Sequence, residues 1–200
     1  MTEAQKQRKL KKIEGLKKEL RYEKQRFGAY DDGYGRRYAI MELYLELKDH
    51  KKTNRYLSWF NKNFPDDITY LRFQLGIAST KFELKKYKEA KMHLVKVVSL
   101  NTYVLDLMLE RPVESIEKYE RSQTENLKWA REEWRSLMDL VSPAFKIWLE
   151  DFTKEAKFIS HLNTYIAIQI SLKGKKVGEA RSHLLEKSRE CLRTWEALYL

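Results

Sequence analysis

An all-α fold follows from three observations on this sequence. Apolar residues recur every three to four positions along most of the chain, the spacing that lines one face of a helix. Only 7 Gly and 3 Pro punctuate 200 residues, too few for the many tight turns of an all-β protein. Charged residues make up 34% of the chain and hydrophobic ones 42%, the balance of amphipathic helices with well-solvated outer faces.

The segments justify themselves in order. Residues 1–27 form a basic N-terminal helix: ten Lys and Arg stand against three Glu between Lys6 and Arg26, and Leu10, Ile13, Leu16 and Leu20 make a thin apolar stripe. Gly15 weakens that helix by about 1 kcal/mol relative to Ala. Residues 28–35, GAYDDGYG, form a Gly/Asp linker, since Gly and Asp favour turns. A helical-repeat domain spans 36–200. Its first helix carries Ile40, Leu43, Tyr44 and Leu47 on one face. After the polar turn KDHK, a second helix carries Tyr56, Leu57, Trp59 and Phe60 and stops before Pro65. Asp66 or Asp67 is placed to cap a third helix, whose stripe is Ile68, Leu71, Leu75, Ala78 and Phe82. A fourth carries Ala90, Leu94, Val97 and Val98. Pro112 suits the first turn of a long helix over about 112–140, and Ser142-Pro143 starts another running to about Lys173. A last helix covers 179–198.

Residues 46–53, ELKDHKKT, and 83–90, ELKKYKEA, write the same phrase 37 positions apart. Leu47 and Leu84 close a helix, Thr53 and Ala90 put a small side chain where two helices cross, and Leu57 and Leu94 follow four residues later. This pattern resembles the tetratricopeptide repeat, a helix–turn–helix unit with a small–small–large apolar signature and a closing Pro. Tyr44, Leu47, Thr53, Leu57, Phe60 and Pro65 match it. Met41, Arg37 and Thr102 depart from it, and either Gly76 or Ala78 fits the small position of the second unit. A fainter third phrase puts Ala180 and Leu184 in the places of Ala90 and Leu94. Repeat-like pairs are therefore expected at about 36–65, 68–102 and 143–198, stacked as a short solenoid; another antiparallel helical bundle would also place small residues at helix crossings.

The search for chemistry yields no reaction centre. The four histidines form no HExxH or Cys/His cluster, and His50 and His93 read as surface or boundary residues. Asp66/Asp67, Glu132/Glu133 and Glu150/Asp151/Glu155 read as solvated carboxylates. Cys191 is the one cysteine, which excludes an internal disulfide and suits a reducing compartment. No run of about 18 apolar residues is present to cross a membrane. The N-terminus has no apolar stretch of a secretory signal. These readings make the protein cytoplasmic and non-catalytic, with no cofactor or metal. The 5 Trp, 8 Phe and 12 Tyr fall mostly at core spacing.

The repeat resemblance implies a protein or peptide partner bound at outward positions of the first helix of each pair: Tyr38, Glu42, Leu45 and Glu46, then Arg72, Ser79 and Glu83. The formal charge of +11 supports a second reading, nucleic-acid binding, with Lys9, Lys11, Lys12, Lys17, Lys18, Arg36 and Arg37 as its contacts.

Overall fold

The computed structural model describes residues 1–30, 32–67 and 69–200. Among them the chain forms ten α-helices and two single 3-10 turns, with no strand, so the all-α class holds. None of the described helices is long and apolar enough to cross a membrane. The chain divides into two compact units, residues 1–69 and 70–200. The basic N-terminal segment belongs to the first unit.

Unit 1 holds α1 (Glu3–Phe27), α2 (Arg36–Glu46) and α3 (His50–Asn63). Thr2 and Gln5 open α1 with a reciprocal capping box, and Gly28 closes it in the left-handed region at φ 75°, where a side chain would be strained. Ile13 and Leu20 of α1 are buried, and α1 packs on α2. The hairpin of α2 and α3 buries Ile40 and Tyr44 with Tyr56, Leu57 and Phe60. Ring contacts join the two helices, Tyr44 with Tyr56 at 5.7 Å and Tyr38 with Phe60 at 5.9 Å between centroids.

Unit 2 holds α4 (Leu71–Glu83), α5 (Tyr87–Leu100), α6 (Val104–Met108), α7 (Leu127–Leu137), α8 (Pro143–Thr153), α9 (Ala156–Leu172) and α10 (Glu179–Ala197). Every residue of α4 from Phe73 to Lys81 is buried, which makes it the central helix of this unit. Its core joins Leu75 and Ala78 to Leu94 and Val98 on α5, Phe145 and Phe152 on α8, Phe158 on α9 and Trp195 on α10.

The repeated phrase builds the same turn twice. Lys48 and Lys85 both lie in the left-handed region, at φ 51° and 60°. Lys48 N–H donates to Leu45 O at 2.9 Å, and Lys85 N–H to Phe82 O at 2.8 Å. The following helix begins alike, with Thr53 N–H on Asp49 O and Ala90 N–H on Lys86 O. Thr53 and Ala90 are buried at 1% and 0% exposure. A related turn, which the sequence did not disclose, recurs at Glu110 (φ 57°), after α6.

Several expectations need correction. The long helix over 112–140 is helical only at Leu127–Leu137, with a 3-10 turn at Met138–Leu140. Tertiary contacts claim the groups that a helix over 112–126 would have used. Tyr119 N–H donates to Gln169 O at 2.9 Å. Ile116 N–H donates to the Tyr103 hydroxyl at 3.1 Å, and Asn101 Nδ2 reaches Thr124 O and Asn126 O. Lys118 is buried, donates to Glu125 O and lies 5.0 Å from the Tyr103 ring centre. Asn126 then caps α7 through Trp129 N–H. The helix expected over 143–173 is broken at Lys154 and Glu155, the latter extended at ψ 129°. Ala180, expected at a crossing, is exposed. The third helix starts at Leu71, so neither Asp66 nor Asp67 caps it; Ile68 lies outside the described residues.

His93, expected near the surface, is buried, and its Nδ1–H donates to Gln74 Oε1 at 2.8 Å. Burial, aided by the cations of Lys96 and Lys81, lowers its pKa from 6.5 to about 3. The unfolded chain therefore takes up a proton as the pH falls through 6.5, and the folded chain does not until near 3. The stability tied to a neutral His93 is whole above that window and is lost within it, by up to about 1.4 kcal/mol per pH unit. Urea melts of His93→Gln should show a flatter acid limb than the parent; equal slopes would refute a buried neutral imidazole. For the crossing, Ala90→Trp should cost about 1–3 kcal/mol or more by overpacking. A variant with the parent's melting midpoint would remove Ala90 from the crossing.

Candidate functional site

The loop before α2 decides what the charges of unit 1 can do. Gly35 gives α2 no side-chain cap. Asp32 serves instead: its carboxylate accepts the backbone N–H of Arg36 at 2.7 Å and of Arg37 at 2.8 Å, the natural seat of an anion at a helix start. The same carboxylate accepts Arg37 Nη1 at 3.0 Å. Arg36 donates to Glu19 at 2.6 Å and Glu23 at 2.7 Å on α1. Arg37 donates to Asp67 at 2.8 Å, and the Tyr38 hydroxyl donates to the same carboxylate. Asp67 is thus no solvated carboxylate. Two cations here meet four carboxylates, so the guanidiniums of Arg36 and Arg37 are already paired within the fold.

The expected partner positions are also occupied by the chain itself. On α2, Leu45 is buried, Glu42 is half-buried, and Glu46 accepts a bond from Lys9 of α1. On α4, Arg72 Nη1 donates to Ser136 O at 2.9 Å, and the buried Ser79 hydroxyl to Leu140 O at 2.6 Å. Glu83 accepts from Ser142 Oγ at 2.6 Å. The outward face of α4 is therefore filled by residues 136–142. Lys9 is consumed with Glu46, leaving Lys11, Lys12 and Lys18 exposed, with no carboxylate partner among the described residues.

Lys17 leads to a different place. It lines a cleft of about 530 Å³ between α1 and α3, within the usual range of ligand pockets. Lys17 and Arg21 enter from α1, Lys52 and Arg55 from α3, and Glu14 is the one carboxylate of the lining. Leu20, Tyr30, Tyr44, Tyr56 and Trp59 supply the apolar surface. Helical spacing explains the set: 14, 17 and 21 share a face of α1, as do 52, 55, 56 and 59 on α3.

The rings form one braced surface. Tyr56 stacks on Trp59 with centroids 5.1 Å apart, and Tyr30 meets Trp59 edge-on at 5.3 Å. The Tyr56 hydroxyl donates to Arg37 O at 2.9 Å, and burial raises its pKa, so this wall stays neutral. Lys17 Nζ donates to the Tyr44 hydroxyl at 2.8 Å. Among the described residues, Lys52 pairs only with Asp49, exposed and at 3.2 Å, an interaction worth little. Arg21 and Arg55 are exposed, without a carboxylate partner among the described residues. Sequence reasoning missed Lys52 and Arg55, left Arg21 within the basic N-terminal run without singling it out, and assigned Tyr56 and Trp59 to the core. The available signal was a Lys52–Arg55–Trp59 stripe alongside the apolar one.

The arrangement suits reversible capture of an anion that carries a flat ring. Among the described residues, no three His, Cys, Asp or Glu side chains gather in a way that would hold a metal ion. Asp32→Ala should loosen unit 1 by about 1–3 kcal/mol, since two backbone donors and one guanidinium lose their acceptor. Urea unfolding measures the loss, and faster amide exchange at Arg36 and Arg37 localises it; parental values in both would mean that Asp32 is not the cap. No family model matches the chain, and no curated protein or solved structure matches it either.

Proposed function

We propose that this chain is a non-catalytic binding protein for nucleic acid, held through unit 1. One observation carries the reading: Lys17, Arg21, Lys52 and Arg55 converge on an aromatic cleft whose lining holds a single carboxylate, Glu14. Lys11, Lys12 and Lys18 are exposed on α1, and Arg21 and Arg55 stand in the cleft lining. Phosphates supply the charge these groups lack, and bases supply faces for the rings.

A protein partner is the second reading. It is favoured by the duplicated turn at Lys48 and Lys85 and by Ala78 and Ala90 at 0% exposure, which support hairpins like those of tetratricopeptide repeats. A peptide using Arg72, Ser79 and Glu83 would first have to displace residues 136–142.

A salt titration separates the two. Binding of a labelled oligonucleotide, followed by fluorescence anisotropy, should weaken with a log–log salt slope of about −3 to −4, as five cations on a single strand imply. Lys11→Glu/Lys12→Glu/Lys18→Glu should reduce that slope and weaken binding of every sequence alike. No binding, or a slope near zero in the parent, would overturn the nucleic-acid reading.

A further inference from the structure

Resting on the nucleic-acid reading above, we infer that the α1–α3 cleft is a pocket for one unpaired nucleotide, so that the preferred ligand is a single strand. A duplex keeps its base faces stacked inside and presents phosphates along its outside. Lysines on an exposed helix can meet those phosphates, but rings set in a cleft cannot reach a stacked base. The cleft has its rings in the lining: Trp59 is bracketed by Tyr56, stacked at 5.1 Å, and Tyr30, edge-on at 5.3 Å. A base that enters extends this ring surface, and stacking of that kind accepts any base because each has a π-face.

The charges fit the same occupant. Arg21 on α1 and Arg55 on α3 bring planar guanidiniums to the lining from both helices. A guanidinium fork matches two phosphate oxygens at once, which an ammonium does not. Lys17 and Lys52 add charge, and with Glu14 as the lone carboxylate the lining carries a net +3. The acids that could have neutralised α1 are engaged elsewhere: Glu19 and Glu23 are bonded to Arg36. A volume of about 530 Å³ suits one base with its sugar and phosphate rather than a folded segment.

The test uses the full chain and three probes: a fluorescein-labelled oligothymidylate, a duplex of equal length, and linear polyphosphate as a charge-only competitor. The oligothymidylate should bind at least about tenfold more tightly than the duplex, the margin expected of one stacked base. Arg21→Ala/Arg55→Ala, at exposed positions, should melt like the parent and lose most of that margin. Trp59→Leu should lose it too, with Trp59→Phe restoring it, while polyphosphate competes for both with parental strength. Equal affinity of the parent for duplex and single strand would overturn the pocket and leave the electrostatic function standing. So would cleft variants that keep the margin, or polyglutamate displacing the oligonucleotide as well as unlabelled oligothymidylate does. A chain that binds no nucleic acid of any form would overturn the function and the pocket with it.

Discussion

Arg36 and Arg37 are neighbours in the first turn of α2, yet their guanidiniums serve different elements. Arg36 reaches Glu19 and Glu23 on α1, and Arg37 reaches Asp67 in the segment after α3. Asp32 stands beneath both, with a fully buried side chain that accepts their backbone N–H groups. Removing charges from water is costly unless hydrogen bonds replace the lost solvation. Here the carboxylate has several donors at 2.7–3.0 Å, so the cost is offset within the cluster. The cluster fixes where α1 lies along α2 and how the tail of α3 returns to α2. The α1–α3 cleft is bounded by the same elements, so its geometry is set by groups that do not line it.

The same pairing sorts the charge on α1. Glu19 and Glu23 are drawn to Arg36, and Lys9 is drawn to Glu46. Lysines and arginines with no carboxylate partner among the described residues remain, Lys11, Lys12, Lys18 and Arg21 among them, and of these Arg21 lines the cleft. A net charge of +11 says only that cations are in excess. The folded pairing says which ones are left over, and those carry long-range attraction to an anion. On α4 the logic runs the other way. Gln74, Ser79 and Lys81 are buried polar groups on the central helix of unit 2, bonded respectively to His93, Leu140 O and Glu89. Those bonds offset the cost of burying three polar groups on a helix buried nearly all round, whereas the Thr80 hydroxyl on the same helix is buried without a partner among the described residues.

The legible part of this sequence was local. ELKDHKKT and ELKKYKEA declare their turn because an apolar residue, a turn and a small crossing residue come in fixed order. Ser142-Pro143 likewise marked the start of α8, where Phe145 N–H donates to Ser142 Oγ at 3.1 Å. What stayed hidden depends on partners distant in the chain. Residues 112–126 have a pattern compatible with a helix, but Tyr103, Asn101 and Gln169 take their hydrogen bonds. Arg36 and Arg37 read as anion sites because Glu19 and Asp67 lie 17 and 30 residues away from them. Tyr56 and Trp59 read as core, and that was half right: Tyr56 is 5% exposed while also facing the cleft, so one ring serves packing and binding together.

That double service bears on how the cleft can bind. Tyr56 is tied to the Arg37 carbonyl and stacked on Trp59, so the ring wall is ordered before any ligand arrives. Ordering a side chain at binding costs about 0.5–1.5 kcal/mol each, and here the rings have already lost that freedom on folding. The arginines differ: Arg21 and Arg55 are exposed on long stems and must be immobilised when they grip an anion. The exposed lysines of α1 supply encounter and a salt-sensitive grip on any anion, whereas Arg21 and Arg55, set in the cleft lining, act on a phosphate whose base has entered the cleft. The rigid rings reward only an occupant with a flat face to lay against them, and their contribution persists in salt because no counterion screens a stacking contact.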